Sequence, residues 1–377
     1  MSDPIQLLTA DGTRVEHPDV AFTPDAALLA QHGDEAGVLK ALLRDMSLLR
    51  RFDVEATALQ RHGELGLWPP SLGQEAAQIG AGRALARQDH VFPTYREHGI
   101  AWCRGIDPVG LLGLFRGTDH VGWDPVEKGY EPVTIVIGAH ALHAVGYALG
   151  VVHDGAVGTG DAARDTAVMA CFGDGATSQG DVNEAFVFAA SYHVPVVFFV
   201  QNNHWAISEP LARQTRIPIA QRADGFGFPS YRVDGNDVLA TYAVVRRALE
   251  HARSGQGPVL VEAVTYRMGA HTTTDDPTRY RTDDELESWR RRDPIDRLAA
   301  HLRAEGIADD AWFTALDAEA EELGADIRAR CKALPDPSPL ASFDETYVEL
   351  TPTLAAQRAE VVELMDLDGA EHEEVAR

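Results

Sequence analysis

The sequence is poor in cysteine, lysine and long apolar runs, and each shortage excludes something. Cys103, Cys171 and Cys331 are the only cysteines, odd in number and far apart. They make neither a disulfide framework nor a spaced metal motif, and read as small core residues in a reducing compartment. The longest apolar run, Val194-Pro-Val-Val-Phe-Phe-Val200, is far below the roughly 20 residues of a membrane span. The opening Met-Ser-Asp-Pro-Ile-Gln has no basic stretch followed by an apolar one. No signal peptide is expected, and a bacterial cytoplasmic location is. Only three of the 33 basic residues are lysine (Lys40, Lys128 and Lys332). A net charge of -25 repels nucleic-acid phosphates and excludes that class of partner.

What is present is ordinary globular material, 45% hydrophobic over 377 residues, enough for one large α/β domain or two smaller ones. Residues 1–36 read as an irregular arm lying on a partner or on the body, 37–335 as an α/β domain, and 336–377 as a C-terminal extension. From Glu35 to about Gly63, Val38, Leu42, Leu43, Met46, Leu49, Phe52 and Val54 recur at helical spacing. A small-residue helix follows Ser71. Short apolar strands are expected at Val133–Ile137, Thr166–Phe172, Val194–Gln201 and Val259–Thr265. The first two lead into helices at His140–Val152 and Asp181–Tyr192. Helices resume at Ile295–Glu305 and Asp310–Ala333, and the charged tail 370–377 reads as frayed. Such alternation predicts a mostly parallel sheet with helices on both faces.

The segment Phe172-Gly-Asp-Gly-Ala-Thr-Ser-Gln-Gly-Asp joins a strand end to a helix start. Ligands of parallel sheets sit at such strand ends. Gly173 and Gly175 permit close backbone approach, and the helix start offers N–H groups to phosphate. Asp174 would repel phosphate by itself; a Mg²⁺ between them removes the conflict. The next strand ends at Asn202-Asn203-His204-Trp205, which would set Asn203 beside Asp174 as a second hard oxygen ligand. A nicotinamide-binding turn competes for this segment, but Ser178 stands where its third glycine is required.

Strand, Gly-Asp-Gly, helix, apolar strand and Asn-Asn in this order resemble the thiamin-diphosphate signature. Further stretches extend the likeness over nearly the whole chain: Leu72-Gly-Gln-Glu-Ala-Ala, Phe92-Pro-Thr-Tyr-Arg-Glu-His-Gly, Val233-Asp-Gly-Asn-Asp-Val and Tyr266-Arg-Met-Gly-Ala-His-Thr-Thr-Thr-Asp-Asp. Together they resemble the α subunit of the decarboxylase component of 2-oxo acid dehydrogenase complexes. That family implies the thiamin-diphosphate-binding fold and oxidative decarboxylation of a 2-oxo acid, with acyl transfer to a lipoyl domain. It also implies an α₂β₂ assembly with a β subunit, which would supply the Glu for the aminopyrimidine, bound to a lipoyl acyltransferase core.

Carried over position by position, the resemblance implies Mg²⁺ ligation by Asp174, Asn203 and the carbonyl of Trp205. Tyr95 and Arg96 would reach the diphosphate, where a guanidinium grips two oxygens. Gly173, Gly175 and Ala176 would contact it by backbone, and Ile137 and Ile207 would line the cofactor rings. His271 would contact phosphate and face the substrate carbonyl, as a hydrogen-bonding or proton-moving catalytic residue. Arg267 and Gln201 are placed with the cofactor contacts, Gln201 where some relatives carry an Arg. The His271 loop reads as mobile, pinned through ion pairs of Arg267, Asp276, Tyr280 and Arg281. Thr272 follows His271 where some relatives carry a phosphorylated Ser.

Other histidines have rival readings. His140 and His143, one turn apart, could mimic a metal pair, and packing or pocket lining is preferred. His98 is expected near the pocket mouth and Trp68 near the pocket. Ala139 and His140 stand where potassium-binding relatives have Thr and Gln, which argues against that site. Thr94 is small, and the sequence leans towards a branched-chain 2-oxo acid. Pyruvate, an acetoin dehydrogenase α subunit and a non-catalytic phosphate- or Mg²⁺-binding scaffold remain as alternatives.

Overall fold

The computed structural model describes residues 3–344 and 346–375, with side chains through Leu367. Five strands form one parallel sheet: β1 (His90–Phe92), β2 (Val168–Gly173), β3 (Val196–Asn202), β6 (Ser230–Asp234) and β7 (Val259–Val264), in the order β1-β2-β3-β7-β6. Between β3 and β6 the two-residue strands β4 (Trp205–Ala206) and β5 (Glu209–Pro210) pair antiparallel.

Side chains alternate across the strands, and the apolar runs therefore feed two cores. Met169, Cys171, Val197 and Phe199 face one, against the helices Glu35–Arg61, Glu75–Ala84 and Val238–Arg253. Val168, Ala170, Phe172, Val196, Phe198 and Val200 face the other, against the helices Ala139–His153 and Gly180–Tyr192. Burial on both faces is why β2, β3 and β7 are mostly apolar, with Gln201 and Asn202 at the end of β3 and Glu262 within β7 as the polar exceptions. Each buried Val, Leu or Phe contributes about 1.5–3 kcal/mol. The expected α/β class and two-faced covering hold.

The N-terminal arm lies on the body and contains the short helix Ala26–His32. Asp237 fixes it. Its Oδ1 caps the Val238–Arg253 helix by accepting from Leu239 and Ala240 N–H at 3.0 Å each. Its Oδ2 accepts from Leu7 and Leu8 N–H at 2.7 and 2.6 Å. The tail 370–377, expected to fray, continues as helix to Val375; Ala376 and Arg377 lie outside the described residues.

One strand expectation fails. Val133–Ile137 is irregular, because the sheet edge beside β2 is occupied by β1, paired His90–Phe92 to Val168–Ala170. The chain touches that edge at Tyr130 and Glu131 and then leaves it. Ile135 and Val136 are 62% and 70% exposed, so their apolarity does not serve the core. The strands β1 and β6, which carry no apolar run, were not expected.

Candidate active site

The carboxyl ends of β1, β2, β3 and β7 open onto one cavity of about 650 Å³. Tyr95 and Arg96 follow β1, Gly173 to Ala176 follow β2, Gln201 to Ile207 end and follow β3, and Arg267 and His271 follow β7. The in-register pairing of Gly173 with Gln201 sets the two motif turns side by side. Tyr95, Arg96, Ile137, Gly173, Asp174, Gly175, Ala176, Gln201, Asn203, Trp205, Ile207, Arg267 and His271 all line the cavity. The structure thus gathers every site residue expected from sequence around one space.

One wall is built by strand ends. Gly-Asp-Gly opens a 3₁₀ turn, Asp174–Ser178, ahead of the Gly180–Tyr192 helix. The N–H groups of Gly175 and Ala176 open that turn and so have no intrahelical acceptor. Gly175 cannot carry a side chain, since a Cβ there would stand 2.8 Å from the Ala206 methyl. The Asp174 carboxylate accepts from Gln214 Nε2 at 2.6 Å and from the Asn203 N–H. Asn203 Oδ1 accepts from Trp205 N–H at 3.2 Å, and its Nδ2 donates to Gln74 Oε1 at 2.9 Å. Burial pushes the Asp174 carboxyl up to about 6.

The part of the lining that follows β1 and β7 is cationic, and Arg267 joins it to the Trp205–Ile207 segment. Arg96 and Arg267 both approach His271 Nδ1, at 3.2 and 3.3 Å. Arg96 also donates to the carbonyls of Pro70 and His271, and Arg267 to those of Trp205 and Ile207. Arg267 Nε is buried without a partner. Burial, with the neighbouring Arg96, lowers Arg267 to about 10. Burial, with Arg96 and Arg267 beside it, lowers His271 to about 3.

The loop carrying His271 is held in place, though not by the ion pairs anticipated. Asp275 Oδ2 accepts from His271 N–H at 2.9 Å and from the Tyr280 hydroxyl, which itself accepts from Arg267 at 3.1 Å. Arg281 donates to the carbonyls of Arg267, Met268 and Gly269. Asp276 caps its own turn through Thr278. Thr273 exchanges two hydrogen bonds with the Trp68 backbone, tying the loop to residues 68–72.

Gln201 is tied into the protein. Its Nε2 donates to Glu97 Oε1 at 2.8 Å, and its Oε1 accepts from Gln74 and Gln78. Glu97 also accepts from the Thr94 N–H and hydroxyl, and burial holds its carboxyl above the ordinary range. Gln74, Glu97 and Gln214 carried no role in the sequence reading. Gln74 and Glu97 sit inside recognised motifs, but nothing local marks Gln214, which reaches Asp174 from 40 residues away.

The expectation of His98 at the pocket mouth fails, whereas Trp68 does lie near the pocket, behind cavity-lining Leu67 and Phe115. Trp68 is fully buried, donating to Asp53 at 2.7 Å, and His98 stacks on it at 4.3 Å while bonding the Pro69 carbonyl. Both are core residues because the indole and imidazole find buried partners. His140 is buried against the Cys171 carbonyl whereas His143 is exposed, so they make no metal pair. Among the described residues no group of three or more His, Cys, Asp or Glu could hold a metal, and no helix is long and apolar enough to cross a membrane.

The residues present fit a metal-bound diphosphate. Among the described residues neither Arg96 nor Arg267 pairs with a carboxylate, and the buried Asp174 carboxylate bonds the Gln214 amide and not a cation. An anion with its own divalent ion satisfies both walls.

The dehydrogenase E1 component family model matches residues 44–339. The 3-methyl-2-oxobutanoate dehydrogenase subunit alpha of Mycobacterium tuberculosis is 42% identical over 360 residues, covering 95% of this chain and 93% of that protein. The pyruvate dehydrogenase E1 component subunit alpha of Acholeplasma laidlawii is 36% identical, covering 82% and 89%. Its Staphylococcus aureus counterpart is 35% identical, covering 87% and 83%. The chain belongs to the dehydrogenase E1 component family, as the α chain of a thiamin-diphosphate-dependent 2-oxo acid dehydrogenase that works with a β chain.

Proposed function

We propose that this chain carries the diphosphate-and-metal half of an active site that oxidatively decarboxylates branched-chain 2-oxo acids. The observation that carries the reading is the pairing of the Arg96–His271–Arg267 wall with the Asp174–Asn203–Trp205 wall across one cavity. Mg²⁺ would be held by the Asp174 carboxylate, the Asn203 amide oxygen and the Trp205 carbonyl, which it would share with the Arg267 guanidinium 3.1 Å away, and would neutralise the diphosphate there. The chemistry supplied by bound thiamin diphosphate is a carbon nucleophile and an electron sink for decarboxylation.

The chain's own residues bind and orient. Arg96 and Arg267 grip the phosphate oxygens. Because both donate to His271 Nδ1, the imidazole is neutral with its proton on Nε2. His271 therefore acts as a hydrogen-bond donor from Nε2 to a phosphate or substrate oxygen, and not as a resting base. Gly175 and Ala176 offer N–H groups, and Ile137 and Ile207 exclude water from the ring side. The aminopyrimidine end belongs to the β chain in an α₂β₂ assembly, with a lipoyl acyltransferase as acyl acceptor.

Leu67, Leu114, Phe115 and Ile135 give the cavity an apolar wall suited to a branched side chain. The relative named for 3-methyl-2-oxobutanoate points the same way. The relatives named for pyruvate keep that substrate as the second reading.

The test is turnover of 3-methyl-2-oxobutanoate and pyruvate, with a lipoyl domain as acceptor, by α alone and by α with β. The expected result is activity only with β and a kcat/KM preference for the branched acid of about 10–200-fold. Comparable turnover by α alone contradicts the half-site; a pyruvate preference overturns the substrate.

A further inference from the structure

Gln214 ends the one-turn helix Leu211–Gln214, which follows the β4–β5 hairpin. It is half-buried and folds back onto the Gly-Asp-Gly turn. Its Nε2 donates to Asp174 Oδ2 at 2.6 Å, the shortest side-chain contact that carboxylate makes, and more distantly to the Glu209 carbonyl at 3.3 Å. Its Oε1 is buried with no hydrogen-bond partner. Two features make this close approach possible. The absence of a side chain at Gly175 leaves room for Ala206, whose methyl a Cβ would meet at 2.8 Å, and so lets the hairpin that leads to Gln214 lie against the turn. His204 and Ile207 adopt φ of 72° and 55°, the left-handed region that ordinary side chains avoid, and so fold the hairpin tightly over the turn. Arg267 holds that fold by donating to the Trp205 and Ile207 carbonyls.

We infer that Gln214 is a positioning residue for the metal: it occupies one oxygen of Asp174, leaving the other for the cation, and presents Oε1 as an acceptor for a metal-bound water. The physical need for both halves is plain. A carboxylate rotating freely would bridge or chelate in several ways, whereas Mg²⁺ demands near-octahedral geometry and keeps several waters that need acceptors. A buried amide oxygen with no partner costs free energy unless such a water satisfies it. Partners of metal ligands commonly set affinity without touching the ion. The inference rests on the reading of Asp174 as a metal ligand.

The experiment uses the α chain assembled with its β partner, with Mn²⁺ as probe and its binding read by electron paramagnetic resonance in the presence of thiamin diphosphate. Q214M keeps the side-chain volume and removes both hydrogen-bonding groups. It is expected to weaken Mn²⁺ binding by about 10–100-fold, while kcat at saturating metal and cofactor stays at the wild-type value. The metal-free assembly should melt as the wild type does. Q214A should show the same loss and serves if Q214M assembles poorly. R213A, altering an exposed neighbour that pairs with Glu209, should leave Mn²⁺ affinity unchanged. Wild-type Mn²⁺ affinity in Q214M and Q214A overturns the inference, as does an equal loss in R213A, which would assign the effect to the helix. D174N separates the two levels: if D174N loses Mn²⁺ and Q214M does not, only the role of Gln214 falls. If D174N also binds Mn²⁺ normally, the metal reading falls with it.

Discussion

The two walls of the cavity are opposite in charge and opposite in construction. The Asp174 wall is made by the ends of β2 and β3, whose in-register pairing fixes the turns that follow. The Arg96–His271–Arg267 wall depends on a loop after β7, held by Asp275, Tyr280, Arg281 and Thr273. Each wall buries charge it does not itself neutralise. The carboxyl of Asp174 is pushed up to about 6, and Arg267 and His271 are pushed down to about 10 and 3. The lesson is that neither wall is at rest alone, and one ligand, an anion carrying a divalent cation, relieves both.

That comparison can be broken most sharply at Asp174. Asp174→Asn should weaken Mg²⁺-dependent thiamin diphosphate binding by about 2–5 kcal/mol, at least roughly 30-fold. The metal-free protein should meanwhile gain stability, since a buried unpaired carboxylate is gone; calorimetry of binding and of melting reads both. Stabilisation without loss of binding would separate Asp174 from the metal.

Next comes the cationic wall. Arg267→Met should cost about 1.5–3 kcal/mol of diphosphate binding through the lost charged hydrogen bond. Binding of unphosphorylated thiamin should not change, and the His271 pKa should rise when followed by NMR. Equal losses for thiamin and its diphosphate would place Arg267 away from the phosphates.

The pH dependence sharpens the contrast. Asp174 has a folded pKa near 6 against 3.8 unfolded, so the fold favours its protonated form. This group's contribution to metal-free stability is present below about 4 and is lost as pH rises through 6. Metal and cofactor binding runs the other way, weakening as pH falls through 6. His271 should stay neutral across this window.

The smallest effect is expected at the loop latch. Thr273→Val leaves the Trp68 N–H without its acceptor and should cost about 1 kcal/mol. The readout is faster protease cleavage between 269 and 281 in the cofactor-free enzyme, suppressed by thiamin diphosphate and Mg²⁺. An unchanged cleavage rate would show the latch to be idle.

The sequence made some of this legible and hid the rest for physical reasons. β2, β3 and β7 stand out because a strand buried on both faces is mostly apolar. β1 is only three residues long, and β6 (Ser-Tyr-Arg-Val-Asp) is a partly exposed edge strand with mixed polarity, so neither shows a run. Val133–Ile137 misleads in the opposite sense, since Ile135 and Ile137 line the cavity and Val136 is exposed, so the run does not serve the core. The cavity-lining residues were legible because they sit in contiguous motifs at strand ends. Gln214 and Glu97 act through tertiary hydrogen bonds that no spacing announces, and within the His271 loop it is Asp275 that bonds His271 and Tyr280 while Asp276 caps its own turn. Trp68 and His98 have polar atoms that suggest a site, but those atoms are satisfied inside the core.

The most direct measurement is the affinity of the α–β assembly for thiamin diphosphate with Mg²⁺ present and after chelation. Complementary walls predict tight binding with Mg²⁺ and a loss of at least roughly 30-fold without it, the same loss Asp174→Asn should produce in the presence of Mg²⁺. Binding of equal strength with and without the divalent ion would contradict the account.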